Sequence, residues 1–317
     1  VRTIVVGSRR SALAMTQTRQ VIARLEAAAA SDGASARPAF VIREIVTKGD
    51  RISDRPLTDI GGKALFVKEI EQALLAGEID FAVHSMKDMP SDLPDGLVIA
   101  AVPEREDPRD CLVSASGLDL ERLPSGSRIG TSSLRRALQL KAFRPDLEVG
   151  FLRGNLDTRL RKLEAGEFDA VVVAAAGMHR MGWAHRITQY LDYNVCLPHI
   201  GQGALAIECR ADDAETMAML ATIHHEPTAK AVSAERAFMA RLGGGCETPL
   251  GAYARLENGR VVLEGFVASP DGSVFLRERA EGGDPETVGA ELADRLLMRG
   301  AGRLSSAPDV GSRPPKG

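Results

Sequence analysis

The hydrophobic positions of the chain fall into short unbroken runs, each ending in glycine or a polar cluster and then passing into a stretch of helical spacing. Thr3 to Gly7 predicts a buried strand, and Ser8-Arg9-Arg10-Ser11 leads into a helix running to about Ala30, with Ser8 or Ser11 as its cap. Ala39 to Val46 predicts a second strand. The polar stretch from Thr47 through Gly61-Gly62-Lys63 predicts a mobile loop or lid. Ala64 to Leu75 shows helical spacing and stops at Gly77; Ile79 to Val83 and Leu97 to Val102 predict two further strands, the first ending in His84-Ser85-Met86-Lys87-Asp88.

The same order of elements then recurs. Ser127 to Gly130 predicts a strand, Thr131-Ser132-Ser133 a capping cluster, and Leu134 to Phe143 a helix with Arg135 and Arg136 in its first turn. Strand, glycine, hydroxyls, paired arginines and helix therefore appear in both Val6 to Ser11 and Ile129 to Arg136. Gly77-Glu78-Ile79-Asp80-Phe81-Ala82-Val83 likewise resembles Gly166-Glu167-Phe168-Asp169-Ala170-Val171-Val172. Two α/β lobes of similar plan are expected, the first enlarged by the polar loop. Gly201-Gln202-Gly203 opens a further strand, Ala204 to Glu208, that returns to the first lobe, so that two connections form a hinge.

From Glu226 a smaller domain is expected. A helix placing Ala231, Phe238 and Leu242 on one face precedes the run Gly243-Gly244-Gly245-Cys246. Asn258-Gly259 and Pro270-Asp271-Gly272 between alternating runs predict a three-stranded antiparallel meander, and Asp284-Pro285 caps a last helix. The division expected is residues 1–103 and 204–222 for lobe 1, 108–198 for lobe 2, 226–304 for the C-terminal domain and 305–317 for a disordered tail.

Charge changes this picture more than composition does. The net charge is only -3, yet eight Lys or Arg (Arg128, Arg135, Arg136, Lys141, Arg144, Arg153, Arg159, Arg161) stand against three acids between Arg128 and Arg161. Aromatic residues make up 4% of the chain, too few for the stacking platforms of a nucleic-acid binder, and the chain is acidic overall. Small carboxylates or phosphates are the expected anions, since Arg dominates and its planar fork suits bidentate recognition. Helix N-termini at the carboxyl ends of strands would hold such groups, which places Arg9, Ser11, Lys87, Asp88, Ser132, Arg135, Arg136, Arg153, Gly154, Asn155 and Arg159 at one crevice. Two arginines in a first helical turn oppose the helix dipole, and an anionic ligand explains that placement.

Single residues are read in two ways. Asp88 is an acid/base group or cation stabiliser, or else a cap or half of a surface ion pair. Gln202 contacts a ligand or holds the hinge. His84 is expected to be a hydrogen-bonded core residue, and His224-His225 carries no assigned role. The four cysteines, Cys111, Cys196, Cys209 and Cys246, show neither a disulfide framework nor metal-ligand spacing, and no metal is expected. Cys246 is a small buried hydrophobe in a loop or, beside an arginine-lined cleft, an attachment point. The N-terminus enters a strand without a signal peptide's apolar segment, and the longest uncharged apolar run, Ala170 to Met178, is far short of a membrane span. A cytoplasmic protein without a membrane partner is expected.

Gly-Ser-Arg-Arg-Ser-Ala-Leu-Ala (7–14), Gly-Gly-Lys-Ala-Leu-Phe (61–66), His-Ser-Met-Lys-Asp (84–88), Glu-Arg-Glu-Asp-Pro-Arg-Asp (104–110), Gly-Thr-Ser-Ser-Leu-Arg-Arg (130–136), Leu-Arg-Gly-Asn (152–155), Gly-Gln-Gly-Ala (201–204) and Gly-Gly-Cys (244–246) closely resemble the porphobilinogen deaminase, or hydroxymethylbilane synthase, family. The resemblance implies two lobes like periplasmic binding proteins and a small C-terminal α/β domain. It also implies a dipyrromethane cofactor joined to Cys246 by a thioether, and a monomer. On that primer four porphobilinogen molecules would be condensed head to tail, each losing ammonia, into linear hydroxymethylbilane. Arg9, Ser11, Lys63, Ser85, Lys87, Thr131, Ser132, Ser133, Arg135, Arg136, Arg153, Gly154, Asn155, Arg159 and Arg180 match the family's contacts to the carboxylate-bearing rings, with Gln202 beside them. Asp88 matches its catalytic carboxylate, which would stabilise the azafulvenium cation left by ammonia. Glu247 stands where Gln is expected, and His179 at a position expected to vary. The lobe plan taken alone suggests another class, a two-lobed binding protein for small anions that needs neither Asp88 nor Cys246.

Overall fold

The computed structural model describes residues 2–31, 38–51, 66–243 and 249–303. Lys63, Cys246 and Glu247, most of the expected polar loop and the expected tail lie outside the described residues. The first lobe is a five-stranded sheet in the order β2-β1-β3-β10-β4, built from β1 (Thr3–Arg9), β2 (Ala39–Ile45), β3 (Phe81–Ser85), β4 (Leu97–Ala101) and β10 (Leu205–Arg210). β1 pairs in parallel with β2 and β3, while β10 runs antiparallel between β3 and β4. The second lobe repeats that plan in the order β7-β6-β8-β5-β9, with β5 (Asp110–Ser114), β6 (Arg128–Gly130), β7 (Glu148–Gly150), β8 (Ala170–Ala174) and β9 (Gln189–Tyr190). There β6 is parallel to β7 and β8, and β5 is antiparallel to β8 and β9. The lobes are joined by the segment between β4 and β5 and by that between β9 and β10.

Both sheets are covered on two faces, which is why their strands read as unbroken apolar runs. In β8, Ala170 and Val172 pack towards Leu140 of α4 (Leu134–Phe143), whereas Val171 and Val173 pack towards Leu160 and Leu163 of α5 (Leu156–Glu164). In the first lobe Val6, Phe81 and Ile207 meet Val21 and Leu25 of α1 (Ala12–Ser31) and Leu220 of α7 (Ala214–Ala221). On the opposite face Ile79 and Ala82 meet Ile70 and Leu74 of α3 (Lys68–Leu75).

The internal likeness has a physical basis. Asp80 accepts from the Val5 amide at 2.7 Å and returns its own amide to the Val5 carbonyl; Asp169 does the same with Arg128. A Cβ on Gly7 would strike Ile79, and one on Gly130 would strike Leu152 and Phe168, so both turns need glycine for close approach. Ser11 caps α1 through the Ala14 amide, and Ser133 caps α4 through the Arg136 amide.

Several boundaries differ from expectation. The strand expected over Ile79 to Val83 is displaced two residues, because Asp80 is consumed in the turn contact with Val5, and His84 and Ser85 therefore lie on the strand. The helix expected from Ala64 begins at Lys68 among the described residues, and a short helix not expected from the pattern, α2, covers Lys48–Arg51.

The C-terminal domain packs α8 (Glu226–Arg241) and α9 (Pro285–Met298) on the meander β11 (Leu250–Glu257), β12 (Arg260–Ala268) and β13 (Phe275–Gly282). Phe238, Leu263 and Leu292 lie at its centre. It is docked on the hinge by one buried ion pair. Arg105 Nη1 and Nη2 donate to Glu235 at 2.6 and 3.1 Å, and the same carboxylate accepts from the amides of Gly201 and Ala254. Glu235→Ala would strand a buried guanidinium and two amides at once. Loss of about 3–5 kcal/mol of stability is expected, read as a lowered urea midpoint; an unchanged midpoint would show that the docking does not depend on this pair.

Candidate active-site cleft

A cavity of about 220 Å³ opens between the lobes at the carboxyl ends of their strands. Its wall on the first lobe carries Arg9, Ser11, Ser85, Lys87 and Asp88; the second lobe supplies Arg136, Gly154, Asn155, Arg159 and Arg180, and Gln202 enters from the hinge. Each is held by an element end. Lys87 and Asp88 sit on the single 3-10 turn, Met86–Asp88, that follows β3, and Asn155 is the N-cap of α5. Arg159 is oriented by donating Nε to the Gly154 carbonyl at 2.9 Å, and Arg180 by donating to Gly203 at 2.7 Å.

Among the described residues the cleft lining holds more cation than acid. Burial, reinforced by Arg136 and Arg159 and opposed by Asp88, brings the Lys87 ammonium down to about 8. Burial together with Arg136 and Arg153 brings Arg159 down to about 10. Burial, partly offset by Glu106, does the same for Arg180. Among the described residues none of these three forms an ion pair within 4.0 Å. Cationic groups whose charged forms are disfavoured until an anion enters make a receptor for carboxylates.

Other predicted residues are placed differently. Arg135 does not line the cleft: its Nη1 donates to Asp110 at 2.7 Å and to the Leu197 carbonyl at 2.6 Å. Arg136 reaches the cleft wall, but its Nε and Nη2 also go to Asp110, at 2.9 and 2.7 Å. The two arginines in the first turn of α4 thus share an internal carboxylate as partner. Thr131 is buried and accepts from the Ser133 amide, Ser133 is spent as a cap, and Ser132, exposed, and Arg153, half-buried, stand outside the cavity lining.

Arg9 is already paired, donating to Asp50 Oδ1 from Nε at 3.1 Å and from Nη2 at 2.5 Å, with its guanidinium 4.3 Å from the Phe66 ring centre. Gln202 Nε2 donates to the Pro108 carbonyl at 2.7 Å and to Asp110 Oδ1 at 2.9 Å, so its amide nitrogen holds the hinge while the residue borders the cleft. His179 bridges Glu106 at 2.8 Å and the Tyr190 hydroxyl at 2.7 Å. His84 is a buried, hydrogen-bonded residue as expected.

Sequence reasoning missed Asp110, Gln17, which exchanges hydrogen bonds with Ser85, and Phe66. The first-turn arginines were a signal for an anion, but nothing in the linear pattern tied them to a carboxylate at the start of β5.

Fold and cleft together define a two-lobed α/β protein with a cation-rich cleft beside a carboxylate and a third domain fastened to its hinge. Residues 4–218 match the family model described as porphobilinogen deaminase, dipyromethane cofactor binding domain, and residues 229–298 match porphobilinogen deaminase, C-terminal domain. The chain belongs to the porphobilinogen deaminase family. It is 54% identical over 298 residues to the porphobilinogen deaminase of Brevibacillus brevis, covering 94% of each chain. It is 55% identical over 305 residues to that of Geobacillus kaustophilus, covering 96% of this chain and 97% of the other. Among solved structures it is similar to a YaeC-family lipoprotein from Enterococcus faecalis at 16% identity and TM-score 0.41, over 77% of this chain and 98% of that one. No helix among the described residues is long and apolar enough to cross a membrane.

The donor set suits a cofactor bearing several carboxylates, because Lys87, Arg159 and Arg180 form no ion pair among the described residues. A carboxylate bound beside Lys87 restores its proton, so binding takes up protons, and affinity is expected to fall as pH rises through about 8. Calorimetric titration of a dicarboxylate ligand at pH 7 to 9.5 in buffers of different ionisation enthalpy measures this. Lys87→Met should weaken binding and flatten the profile; an unflattened slope would assign the proton to another group.

Proposed function

We propose that this chain is a transferase that joins four porphobilinogen molecules head to tail, with release of ammonia, into linear hydroxymethylbilane on a dipyrromethane primer. The observation that carries this reading is one carboxylate, Asp88, in a cleft with Lys87, Arg159 and Arg180, which form no ion pair among the described residues, in a chain that matches the family's cofactor-binding domain over residues 4–218. The dipyrromethane, when bound, supplies a nucleophilic ring carbon at the end of a covalently tethered chain.

The protein's own groups do the rest. Lys87, Arg159 and Arg180 neutralise ring carboxylates, with Arg9, Arg136, Ser11, Ser85 and Asn155 at the same wall supplying further donors. Asp88 faces positive charge that develops as ammonia leaves, and a fixed carboxylate in a partly dehydrated cleft stabilises such charge more than water does. Thr131, Ser132, Ser133, Arg135 and Arg153, with Lys63, are assigned to the same contacts on the strength of their family motifs. Cys246 is assigned as the attachment point. The other three thiols are poor nucleophiles: Cys111, Cys196 and Cys209 are buried, and burial pushes them up to about 12, 12 and 11.

Asp88→Asn is expected to lower turnover by about 100-fold or more while leaving substrate affinity and thermal unfolding nearly unchanged; near-normal ammonia release would remove Asp88 from the chemistry. Intact mass should exceed the sequence mass by two pyrrole units. Cys246→Ser should abolish that excess, and an unmodified wild-type protein with full turnover would refute the attachment. Equilibrium binding of porphobilinogen without ammonia release would instead favour an anion-binding protein.

A further inference from the structure

Beside the hinge stands a histidine that the condensation chemistry leaves unused. His179 lies near the end of α6 (Ala175–Arg180), next to the cleft residue Arg180, and its imidazole is held at both nitrogens. Nδ1 is 2.8 Å from Glu106 Oε1, and Nε2 is 2.7 Å from the Tyr190 hydroxyl. Burial works against ionisation of Glu106, but the hydrogen bonds from His179 and from the Asp107 amide overcome it and hold the carboxyl below its usual range. An ionised carboxylate only accepts, so Nδ1 carries the proton of this bond. The ring is also fixed from its far side. Tyr190 meets it edge-on with 5.7 Å between centres, and the Arg109 guanidinium lies 4.5 Å from the Tyr190 ring centre.

Glu106 and Arg180 converge on one atom. The Gly203 carbonyl accepts from Arg180 Nη2 at 2.7 Å and from the Glu106 amide at 3.1 Å. Two donors on one oxygen are close neighbours, and a glutamate side chain is long enough to swing its carboxylate onto a cation beside its own amide. No such pair is made. The carboxylate is turned to His179 and to the Asp107 amide, the latter at 2.9 Å, and among the described residues Arg180 forms no ion pair within 4.0 Å. Among those residues His179 is also the one side chain hydrogen-bonded to the Glu106 carboxylate.

We propose that His179 is a positioning residue for substrate binding: it holds the Glu106 carboxylate against the hinge and so keeps Arg180 open to a carboxylate of the pyrrole substrate. This rests on the condensation reading above. An internal acid seated on Arg180 would compete with the incoming carboxylate for the same guanidinium and repel it as well. Affinity would fall while the chemical step at Asp88 went on as before. Tyr190 completes the device by keeping the imidazole from turning away from Glu106.

The test uses the full chain with its cofactor. His179→Phe keeps an aromatic ring beside Tyr190 but removes the donor to Glu106. It should raise KM for porphobilinogen about tenfold, equivalent to about 1.4 kcal/mol, with kcat nearly unchanged. His179→Asn, which can still donate to Glu106, should keep KM close to the wild-type value. Adding Glu106→Gln to His179→Phe replaces the competing carboxylate by a neutral amide and should restore KM, an effect that a merely structural role for His179 does not produce. His179→Ala takes the place of the Phe variant should that protein fail to fold. An unchanged KM in the folded single variant, a loss confined to kcat, or failure of Glu106→Gln to restore KM overturns the proposal. Failure of wild type to release ammonia would instead overturn the condensation reading.

Discussion

The carboxylate of Asp110 is the point on which the two-lobed arrangement depends. It is wholly buried, and burial alone would raise its pKa; the guanidiniums of Arg135 and Arg136 overcome that and hold it well below the usual carboxylate range. Besides the two arginines it accepts from Gln202 Nε2 and from the Cys196 thiol at 3.2 Å. A single residue at the start of β5 thus ties α4, the segment around Cys196 that leaves the second lobe and the hinge to one another. A buried charge so thoroughly hydrogen-bonded is tolerable, whereas removing any one donor would leave its neighbours unsatisfied.

The third domain depends on a second interaction of the same kind. Glu235, fully buried on α8, receives Arg105 and the amides of Gly201 and Ala254. Arg105 in turn donates Nε to the Gln202 carbonyl at 2.8 Å, so the two buried carboxylates are linked through Gln202 and Arg105 across the hinge. The domain that carries the cysteine-bearing segment is therefore fastened to the connections between the lobes, and Arg236 of α8 also ties it to the first lobe by donating to the Pro90 carbonyl at 2.7 Å.

Much of this was legible in the chain because local and global preferences agree. α4 occupies Leu134–Phe143 as its capping cluster and spacing predict, and the Asn-Gly turn joins the antiparallel strands β11 and β12. The matched lobes could be read from paired Gly-Glu-x-Asp segments because Asp80 and Asp169 perform the same turn contact. What the chain did not disclose involves partners distant in sequence. The contacts of Arg135 with Asp110 and Leu197 are remote from it along the chain, and Arg9 is paired with Asp50 of a short helix that hydrophobic periodicity does not reveal. The role of Gln202 was undecidable from two flanking glycines, since its amide is oriented by Pro108 and Asp110 across the hinge.

The pairing of Arg9 with Asp50 divides the cleft's cations into two ranks. A carboxylate arriving at Lys87, Arg159 or Arg180 would gain an ionic contact that no acid among the described residues is using, whereas one arriving at Arg9 would first have to displace an aspartate already seated on two of its three guanidinium nitrogens. Occupancy is then graded by competition: a ligand with few carboxylates fills the first rank and leaves Asp50 in place, and only a longer, more highly charged chain has the surplus to exchange it. On the proposed reading, the length of a bound polyanion would register as a change of partner at one arginine.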